Sequence, residues 1–322
     1  MGARRYLLSK FLQAFATLLF VLTFNFFLFR VLPGDPIGLL ARSQRLTDAD
    51  IAEQRATLGL DQPLPQQYVT YVEQTVSGNL GVSLRTARPV WGIIASRLGP
   101  TLLLVGLGTL FATVLGIMIG IKGGWQRGSR FDTSTLYGSL VLYSMPEGWL
   151  GMLLLITFAG ILGWFPAGGY SSGGDLTGVA RIVDIADHLF LPVLTLTLGY
   201  IGEYAIIMRS TMIDTVNEDF VTIARAKGVP ERMVRKHHVV PNAFLPTFTL
   251  IFLSLGFVLG GAVVVEAVFS WPGIGLLTYN AIQTLDYPVI QGVFLLSSAA
   301  VILCNLAADV AYGYMDPRVR EA

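Results

Sequence analysis

Three polar side chains stand inside long apolar stretches of the sequence: Glu203, Asn305 and Asp309. Asn305 and Asp309 are four residues apart, so on a helix they would lie one turn apart on the same face. Ionisable groups in apolar surroundings are costly and often belong to ion or proton pathways. A self-contained carrier driven by an ion gradient is therefore one possible function of this protein. The alternative is that they satisfy one another or face the interior of a helix bundle.

A second pattern has the residue types of a hydrolase. Residues 169–173 read GYSSG and match G-x-S-x-G, with Ser171 as the nucleophile, and Asp184 and His188 follow. A nucleophile elbow needs a strand before the serine and a helix after it. Here the serine lies in a stretch rich in glycine, so a chance match is the better interpretation and His188 is expected at the start of a membrane span.

The sequence has neither the usual phosphate-binding loop nor a plausible zinc site. A phosphate-binding loop contains G-x-x-x-x-G-K-[ST], and none of the lysines in this chain follows a glycine. His237 and His238 are adjacent, so on a helix they point about 100° apart and cannot share a metal on one face. We therefore expect no catalytic site, no metal site and no cofactor in this chain.

The composition indicates an integral membrane protein. The chain has 322 residues, of which 53% are hydrophobic and only 13% are charged, and its mean hydropathy is +0.62. Ordinary soluble domains are about one quarter charged. A net charge of +1 also argues against a nucleic-acid partner, which calls for a strongly basic face. The single cysteine, Cys304, excludes a disulfide within the chain.

The apolar segments predict an all-α protein with six transmembrane helices. Each segment has about 20 residues or more, enough to cross roughly 30 Å of hydrocarbon. The first has no small-x-small cleavage pattern, so it is expected to be retained rather than removed as a signal peptide, with Arg30 at an interface. The predicted spans are 10–31, 99–121, 136–163, 188–208, 244–269 and 288–312.

Lysine and arginine in the short loops predict the orientation, because such residues accumulate on the cytoplasmic side. The loop 122–133 carries three of them, the loop 209–243 carries six, and the tail carries Arg318 and Arg320. By contrast, the loop 164–187 has only Arg181 and the loop 270–287 has none. Both termini and the loop 209–243 are therefore expected in the cytoplasm.

Two further patterns concern packing. From Leu64 to Val76 the apolar and aromatic residues fall at helical spacing, which predicts a short helix lying against the membrane. Gly116-x-x-x-Gly120 and Gly256-x-x-x-Gly260 have the spacing that lets helix backbones approach closely. The glycine pairs fit packing within the chain better than a subunit interface, although both remain open.

The basic segment TIARAKGVPERMVRKHHVVPNAFLP (222–246) stands out from its apolar surroundings. Asn217 can cap a helix that begins there. Phe220, Ile223, Ala224 and Lys227 fall on one stripe of that helix. Gly228 can take the left-handed conformation that ends a helix, and Pro230 suits the first turn of the next. We therefore expect a helix, a glycine corner and a second short helix, which we call the hairpin (217–241).

At these residues the sequence resembles the membrane-spanning subunits of ATP-binding cassette importers. Their signature is an E-A-A-type segment, a glycine four residues on, and then nine residues before a hydrophobic-x-Leu-Pro ending. Thr222-Ile-Ala224 occupies the first slot, Gly228 the second, and His238-Val-Val-Pro241 the ending. The glutamate and the hydrophobic-Leu pair of the signature are replaced in this chain.

The branch of that family that transports dipeptides, oligopeptides and nickel is similar over nearly the whole chain, and its first permease fits best. The amino-terminal motifs are LPGDP (32–36), LGLDQPLPQQYVTYV (58–72), GNLGVSL (78–84) and RLGPTLLL (97–104). The later motifs are ARAKGV (224–229), PNAFLPTFT (241–249), GGAVVVEAVFSWPGIG (260–275), DYPVIQG (286–292) and MDPRVR (315–320).

The resemblance implies the permease fold of type I importers, with a first helix and long extracytoplasmic segment (1–98), a permease domain (99–315) and a tail (316–322). It implies that the hairpin is the coupling segment that meets a cytoplasmic ATPase subunit. The coupling residues carried over are Phe220, Ile223, Ala224, Ala226, Lys227 and Gly228. The candidates for docking or gating outside are Glu266, Trp271, Pro272 and Gly273, with a tight turn that packs the bundle as the alternative.

The resemblance also implies the partners. They are a second permease, two cytoplasmic ATPase domains that hold ATP and Mg²⁺, an extracytoplasmic binding protein, a peptide substrate and membrane lipid. The expected place is the cytoplasmic membrane of a bacterium or archaeon. Nickel, glutathione or another small solute is the alternative cargo, since related systems share these motifs, and an ion-coupled carrier is the alternative from a different class.

Overall fold

The computed structural model describes residues 3–31, 61–174, 176–258 and 260–315, and within these ranges helices are joined by turns and loops, with one isolated bridge between Val82 and Pro89. This confirms the all-α prediction. The helices are α1 (Ala3–Val31), α2 (Leu64–Val76), α3 (Val90–Trp125), α4 (Arg130–Ser144), α5 (Glu147–Leu154), α6 (Gly178–Val216), α7 (Asp219–Ala226), α8 (Glu231–Met233), α9 (Val240–Val258), α10 (Val263–Val268), α11 (Ile274–Gln283) and α12 (Tyr287–Met315). Two π-helical segments, Leu155–Ile161 and Val234–Val239, continue α5 and α8.

Five stretches in the described ranges are long and apolar enough to cross a membrane: Arg5–Phe29, Val90–Trp125, Gly178–Val216, Glu231–Gly256 and Tyr287–Ala311. A sixth crossing is available only if α4 and the helix that follows it count as one span. The predicted third span, 136–163, falls on this broken pair, whose two helices are bent by 100° between Ser144 and Glu147. Pro146 is the cause, since a proline disfavours helical backbone at the residue before it, and Met145 is extended.

The fifth predicted span, 244–269, is also divided. The helix α9 ends at Val258, and α10 is a separate helix of six residues. Gly261 between them has φ +76°, and a Cβ there would lie 2.6 Å from the amide nitrogen of Gly275. The helix α9 therefore does not continue as one helix to Phe269.

Two compact units divide the chain, one formed by Met1–Gly99 with Leu277–Ala322 and the other by Pro100–Leu276. The predicted boundary at 98/99 lies beside the first division. The predicted permease domain, 99–315, runs across the second. The Arg30 side chain, the motif LPGDP and the tail 316–322 with Arg318 and Arg320 lie outside the described residues.

In the first unit, α1 packs against α12, and α2 lies against α1. The predicted helix over Leu64–Val76 is confirmed. It is attached by two tyrosines: the Tyr68 hydroxyl is 2.8 Å from the Thr23 hydroxyl, and Asn25 donates to the Tyr71 hydroxyl at 3.1 Å. Both tyrosine rings also contact the ring of Phe26, with centroids 5.3 and 5.5 Å apart.

In the second unit, α3 packs against α6 along a row of glycines. Added Cβ atoms at Gly116, Gly120 and Gly124 would each lie 2.6 Å from side chains of α6, namely Tyr204, Met208 and Met212. Such distances leave no room for any side chain, so the Gly116-x-x-x-Gly120 pattern serves packing within this chain. The second pattern does not lie on one helix, because α9 ends at Val258 before Gly260.

Candidate functional site: the hairpin and its support

The first half of the hairpin is the short helix α7. Its N-cap is Glu218, not Asn217 as predicted. Asn217 instead ends α6, and its side chain donates to the carbonyl of Ile213 at 2.9 Å. Gly228 ends the helical turn with φ +76°, as predicted, and an added Cβ there would meet nothing within 4 Å. Gly228 is therefore required by backbone conformation and not by lack of space.

The second half differs from the prediction of another short helix. From Glu231 the chain runs through the π-helical segment Val234–Val239 directly into α9. The stretch Glu231–Gly256 accordingly counts as one apolar span. The hairpin therefore joins the span without an intervening loop on this side.

The inner face of the hairpin is anchored in a hydrophobic cluster. Val221 and Ala224 of α7 are buried there together with Met208 and Met212 near the end of α6. Val234 and Val239 of the π-helical segment and Ala243 of α9 belong to the same cluster. Ala224, which the sequence pattern places on the same stripe as Phe220, thus supports the hairpin from within.

The outer face carries the remaining coupling candidates. Phe220 is 39% exposed and Ile223 is 54% exposed, although both are large apolar side chains. Ala226, Lys227 and Gly228 are exposed beside them. Met233 is exposed as well and was not singled out from the sequence. The hairpin therefore presents apolar side chains and basic groups on a short, anchored element.

An ion pair closes the corner of the hairpin. The Arg225 Nε atom donates to Glu231 Oε1 at 2.8 Å, and its Nη2 atom is 3.4 Å from Oε2. The two residues flank Gly228, whose amide donates to the carbonyl of Arg225 at 2.9 Å. The two side chains are 38% and 60% exposed, so the pair contributes at most about 1 kcal/mol and mainly restricts the corner.

A second, better-buried ion pair lies at the base of the hairpin. Arg209 of α6 donates from Nε to Asp132 Oδ1 at 2.5 Å and from Nη2 to Oδ2 at 2.9 Å. Asp132, in the first turn of α4, also accepts the amide hydrogen of Gly128 at 2.9 Å. The Ser129 side chain caps the same helix by accepting from the Asp132 amide at 3.1 Å. No local sequence pattern indicates this pair, because its partners are 77 positions apart.

The motif GGAVVVEAVFSWPGIG folds into a buried network at the other end of the second unit. Trp271 is fully buried, donates from Nε1 to the carbonyl of Pro100 at 2.9 Å, and contacts the ring of Tyr170. Glu266 is also buried; its carboxyl accepts from the Thr101 hydroxyl at 3.1 Å and from the Leu276 amide at 2.9 Å. A carboxyl placed at the first turn of α11 is favoured by the partial positive charge of a helix start.

These contacts favour packing over docking for the residues proposed at the outer loop. A docking side chain must be exposed, yet Trp271, Glu266 and Gly273 are buried and Pro272 is half-buried. A Cβ at Gly273 would collide with the Glu266 carboxyl and the Thr101 hydroxyl. The segment is therefore a tight turn that holds the end of the bundle together.

Comparison with known proteins decides the family. Residues 112–321 match the model of the binding-protein-dependent transport system inner membrane component, and residues 3–105 match the model of the N-terminal part of such membrane components. The chain belongs to this family. It is therefore a multi-pass membrane component of a transport system.

Several curated relatives cover nearly the whole chain. A putative peptide permease protein of Brucella suis biovar 1 is 43% identical over 320 residues, which are 98% of this chain and 99% of the relative. A di/tripeptide transport system permease protein of Pseudomonas aeruginosa is 38% identical over 314 residues, 92% of this chain and 93% of the relative. A glutathione transport system permease protein of Escherichia coli O6:H1 is 38% identical over 316 residues, 98% of each chain.

The polar candidates within the apolar helices of this permease occupy different settings. Asp309 pairs with Lys10 of α1 at 3.2 Å, and its carbonyl accepts from the Tyr6 hydroxyl at 3.2 Å. Asn305 is exposed on α12 and does not partner Asp309. Glu203 is half-buried on α6. Asp309 thus joins two helices of the permease.

The residues of the hydrolase pattern do not form a catalytic arrangement in the permease. Asp184 accepts from the amide of Ser172, at 3.0 and 3.2 Å, and not from Ser171. The Nδ1 atom of His188 faces the carbonyl of Asp184 at 2.7 Å, so the histidine is held within α6. No strand precedes the serine in the described part of the loop, which the elbow requires.

Proposed function

We propose that this chain is one of two permease subunits of an ATP-driven importer of di- or oligopeptides and forms half of the translocation pathway. The observation that carries the proposal is the hairpin, with exposed Phe220 and Ile223 outside and a buried anchor inside. A short amphipathic helix that stays partly uncovered fits the groove of a partner protein. In this proposal the partner is a cytoplasmic ATPase subunit, which binds ATP and Mg²⁺.

The proposed coupling follows from how the hairpin is fastened. A pull on α7 acts on α6 through the cluster around Met208 and Met212, and on α9 through the uninterrupted helix from Glu231. The Arg209–Asp132 pair includes α4 in the same joint. Closure of the ATPase subunits therefore biases one arrangement of the membrane helices over another, which is how a ligand drives a two-state change.

The proposed orientation places the hairpin and both termini in the cytoplasm. The contacts of Asp132 with Arg209, and of Arg235 with the Trp125 ring at 5.8 Å, gather the loop 122–133 and the hairpin at one end of the second unit. These are the segments richest in lysine and arginine, as the charge rule requires of the cytoplasmic side. The segment around Trp271 and Tyr170 would then face outward.

Peptides are proposed as cargo because the relatives at 43% and 38% identity are named as peptide and di/tripeptide permeases. The relative named for glutathione, itself a peptide of three residues, keeps that solute as a candidate. A self-contained carrier is less well supported, since the Asp309 carboxyl that it would use is paired with Lys10.

Reconstitution tests the proposal. The chain would be purified with its second permease and ATPase subunits, placed in liposomes with the binding protein of the system, and supplied with ATP. We expect ATP-dependent uptake of labelled dipeptide, tripeptide or glutathione, and neither ATP hydrolysis nor uphill uptake by this chain alone. Proton-driven uptake by the chain alone, abolished in Asp309→Asn, would support the carrier instead. Uptake of Ni²⁺ but of no peptide would show that the cargo is nickel, and it would not contradict the proposed coupling role of the hairpin.

A further inference from the structure

The segment 81–90, which we call the arginine turn, is an exposed loop with an unusually complete set of hydrogen bonds. The Ser83 amide donates to the carbonyl of Arg88 and the Ala87 amide donates to the carbonyl of Ser83, both at 3.0 Å. The Ser83 hydroxyl oxygen accepts the amides of Arg85 at 3.3 Å and Thr86 at 3.1 Å. Exposed loops usually leave such amides to water. This one is pre-organised.

A buried carboxyl group from a distant part of the sequence completes the set. Asp286 accepts from the Ser83 hydroxyl at 2.5 Å and from the Leu84 amide at 3.1 Å. Asp286 is 5% exposed and lies just before α12. It therefore joins the motif GNLGVSL to the motif DYPVIQG, both within the first unit. With Asp286 in place, all five amides from Ser83 to Ala87 have acceptors.

Two features of this arrangement are costly for a loop that only connects helices. Burying a carboxyl group is unfavourable unless hydrogen bonds compensate for the lost water. Ala87 has φ +52°, in the left-handed region that residues with a Cβ rarely adopt. Such local strain is concentrated at functional sites, where the surrounding structure holds it in place. These two costs indicate that the conformation of the turn itself is required for a function.

The side chains displayed by the turn are cationic and aromatic. Arg85 and Arg88 are exposed, and neither forms an ion pair within the described part of the chain. Val82 and Trp91, at the two feet of the turn, are exposed large hydrophobic residues. Arginine and tryptophan are the residues most enriched where protein interfaces gain their binding energy. Arginine also pairs with carboxylates through two parallel hydrogen bonds.

We propose that the arginine turn is a docking surface for an acidic patch on the solute-binding protein that serves this permease. The proposal rests on the proposed function and orientation, which place the turn outside the cell. A dependence on a binding protein is stated by the family itself. Arg85 and Arg88 pair with carboxylates of that protein, while Asp286 acts as a positioning residue that fixes the spacing of the two arginines.

The fixed shape favours a protein over a lipid headgroup as the partner. Lysine and arginine reach lipid phosphates by bending flexible side chains from an ordinary helix end, without a structured turn. A partner with its own fixed array of carboxylates gains affinity when the opposing cations are held in place beforehand. The turn is strained and all its amides from Ser83 to Ala87 are hydrogen-bonded, so it holds the arginines in place. Only a partner of defined shape gains affinity from this.

The test measures the Kd between the complete transporter and its solute-binding protein. That protein is the one that stimulates ATP hydrolysis by the transporter. The transporter is held in nanodiscs of phosphatidylcholine alone, so that no anionic lipid is present. We expect Arg85→Glu with Arg88→Glu to raise the Kd about tenfold or more and to reduce its dependence on salt. Asp286→Asn, which leaves the turn's charge unchanged, should raise the Kd several-fold. Arg181→Glu, one of the few basic positions proposed outside, is the control for a charge reversal elsewhere on that side; it should have little effect, and Arg85→Glu alone, with the same change in charge, should have a larger one.

Each other outcome counts against the proposal. An unchanged Kd in the double variant overturns it, and so does an effect no larger than that of Arg181→Glu, which would reflect overall charge only. An effect that appears only after anionic lipid is added assigns the turn to the membrane surface instead. Basal ATP hydrolysis reports whether each variant is folded and assembled. Failure of the unaltered transporter to respond to any binding protein would count against the proposed function rather than against this surface.

Discussion

Arg209 and Asp132 join α6 to the first turn of α4, next to the cluster that anchors the hairpin. The pair has two hydrogen bonds, at 2.5 and 2.9 Å, and Asp132 is 3% and Arg209 21% exposed. Met208 and Met212, on either side of Arg209 in α6, belong to the cluster that anchors α7. This pair therefore connects the proposed coupling surface with the start of α4, the helix that leads to the 100° bend.

Removing one partner of this pair should destabilise the permease. In Arg209→Ala, the Asp132 carboxyl remains buried without its strongest donors, and we expect a loss of about 2–4 kcal/mol in the free energy of unfolding. Arg209→Lys should lose less, because it keeps the charge but not the two-pronged geometry. Urea or thermal unfolding in detergent measures the difference. Arg225→Ala is the control; it breaks an exposed pair and should cost about 1 kcal/mol or less.

The effect of replacing Gly228 should depend on whether the new residue accepts a left-handed backbone and not on the size of its side chain. Space around it is open, but its φ of +76° is unfavourable for most residues and most of all for β-branched ones. Gly228→Val should therefore misdirect the corner and reduce uptake per ATP hydrolysed, while Gly228→Asn should be close to normal, since asparagine accepts left-handed backbone. The measurement is the ratio of solute imported to phosphate released. Equal ratios for valine and asparagine would contradict the coupling role of the corner.

The two faces of α7 should respond differently to truncation. Phe220→Ala with Ile223→Ala removes exposed apolar surface, so the permease should keep its stability but bind the ATPase subunit about tenfold or more weakly. Val221→Ala removes a buried methyl pair and should lower stability by about 1–3 kcal/mol, with docking affected only as a consequence.

Titration of the ATPase subunit onto the permease in nanodiscs, together with thermal unfolding, separates the two effects. Gln126→Ala, an exposed change in the other basic loop, is the control and should alter neither quantity. Loss of stability without loss of affinity in the Phe220 and Ile223 variant would show that this face is not a docking surface.

Local patterns were sufficient for some parts of this structure. Gly228 is recognisable because a glycine between two helix-forming stretches has few other uses, and its left-handed backbone confirms that reading. The Gly116 and Gly120 spacing predicts close helix packing, and the partner helix proves to be α6. In these cases the information lies within a few neighbouring residues.

Other parts depend on contacts that no local pattern contains. Apolar composition alone joins 136–163 into one span, although Pro146 bends the chain sharply inside it. Ala224 falls on the same helical stripe as Phe220, yet the position of α6 decides that Ala224 is inside. Asp286 and Ser83 are 203 positions apart, so only the folded chain brings them together.

Topology can be measured directly with reporter fusions. Reporters placed after Gly173 and after Asn280 should be active only outside the cytoplasm, and a reporter after Arg235 only inside, because the basic loops are retained in the cytoplasm. The broken helix between Ser144 and Glu147 makes the Gly173 fusion the critical one, since it asks whether α4 and α5 cross the membrane as one unit. A cytoplasmic location of the reporter at Gly173 would show that α4 and α5 do not cross the membrane. An external reporter at Arg235 would reverse the proposed orientation and exclude contact with a cytoplasmic ATPase.

Trp271 should behave as a structural residue. Its side chain is fully buried, contacts Tyr170 and donates to the carbonyl of Pro100. Trp271→Ala leaves a large cavity and an unmatched carbonyl, so we expect a loss of about 3–5 kcal/mol and poor assembly with the second permease. Trp271→Phe keeps most of the ring but not the hydrogen bond, and should lose about 1–2 kcal/mol while still assembling. Size-exclusion chromatography and thermal unfolding would report both effects. A Trp271→Ala permease that assembles normally, yet is no longer stimulated by the binding protein, would show that the tryptophan acts in docking or gating after all.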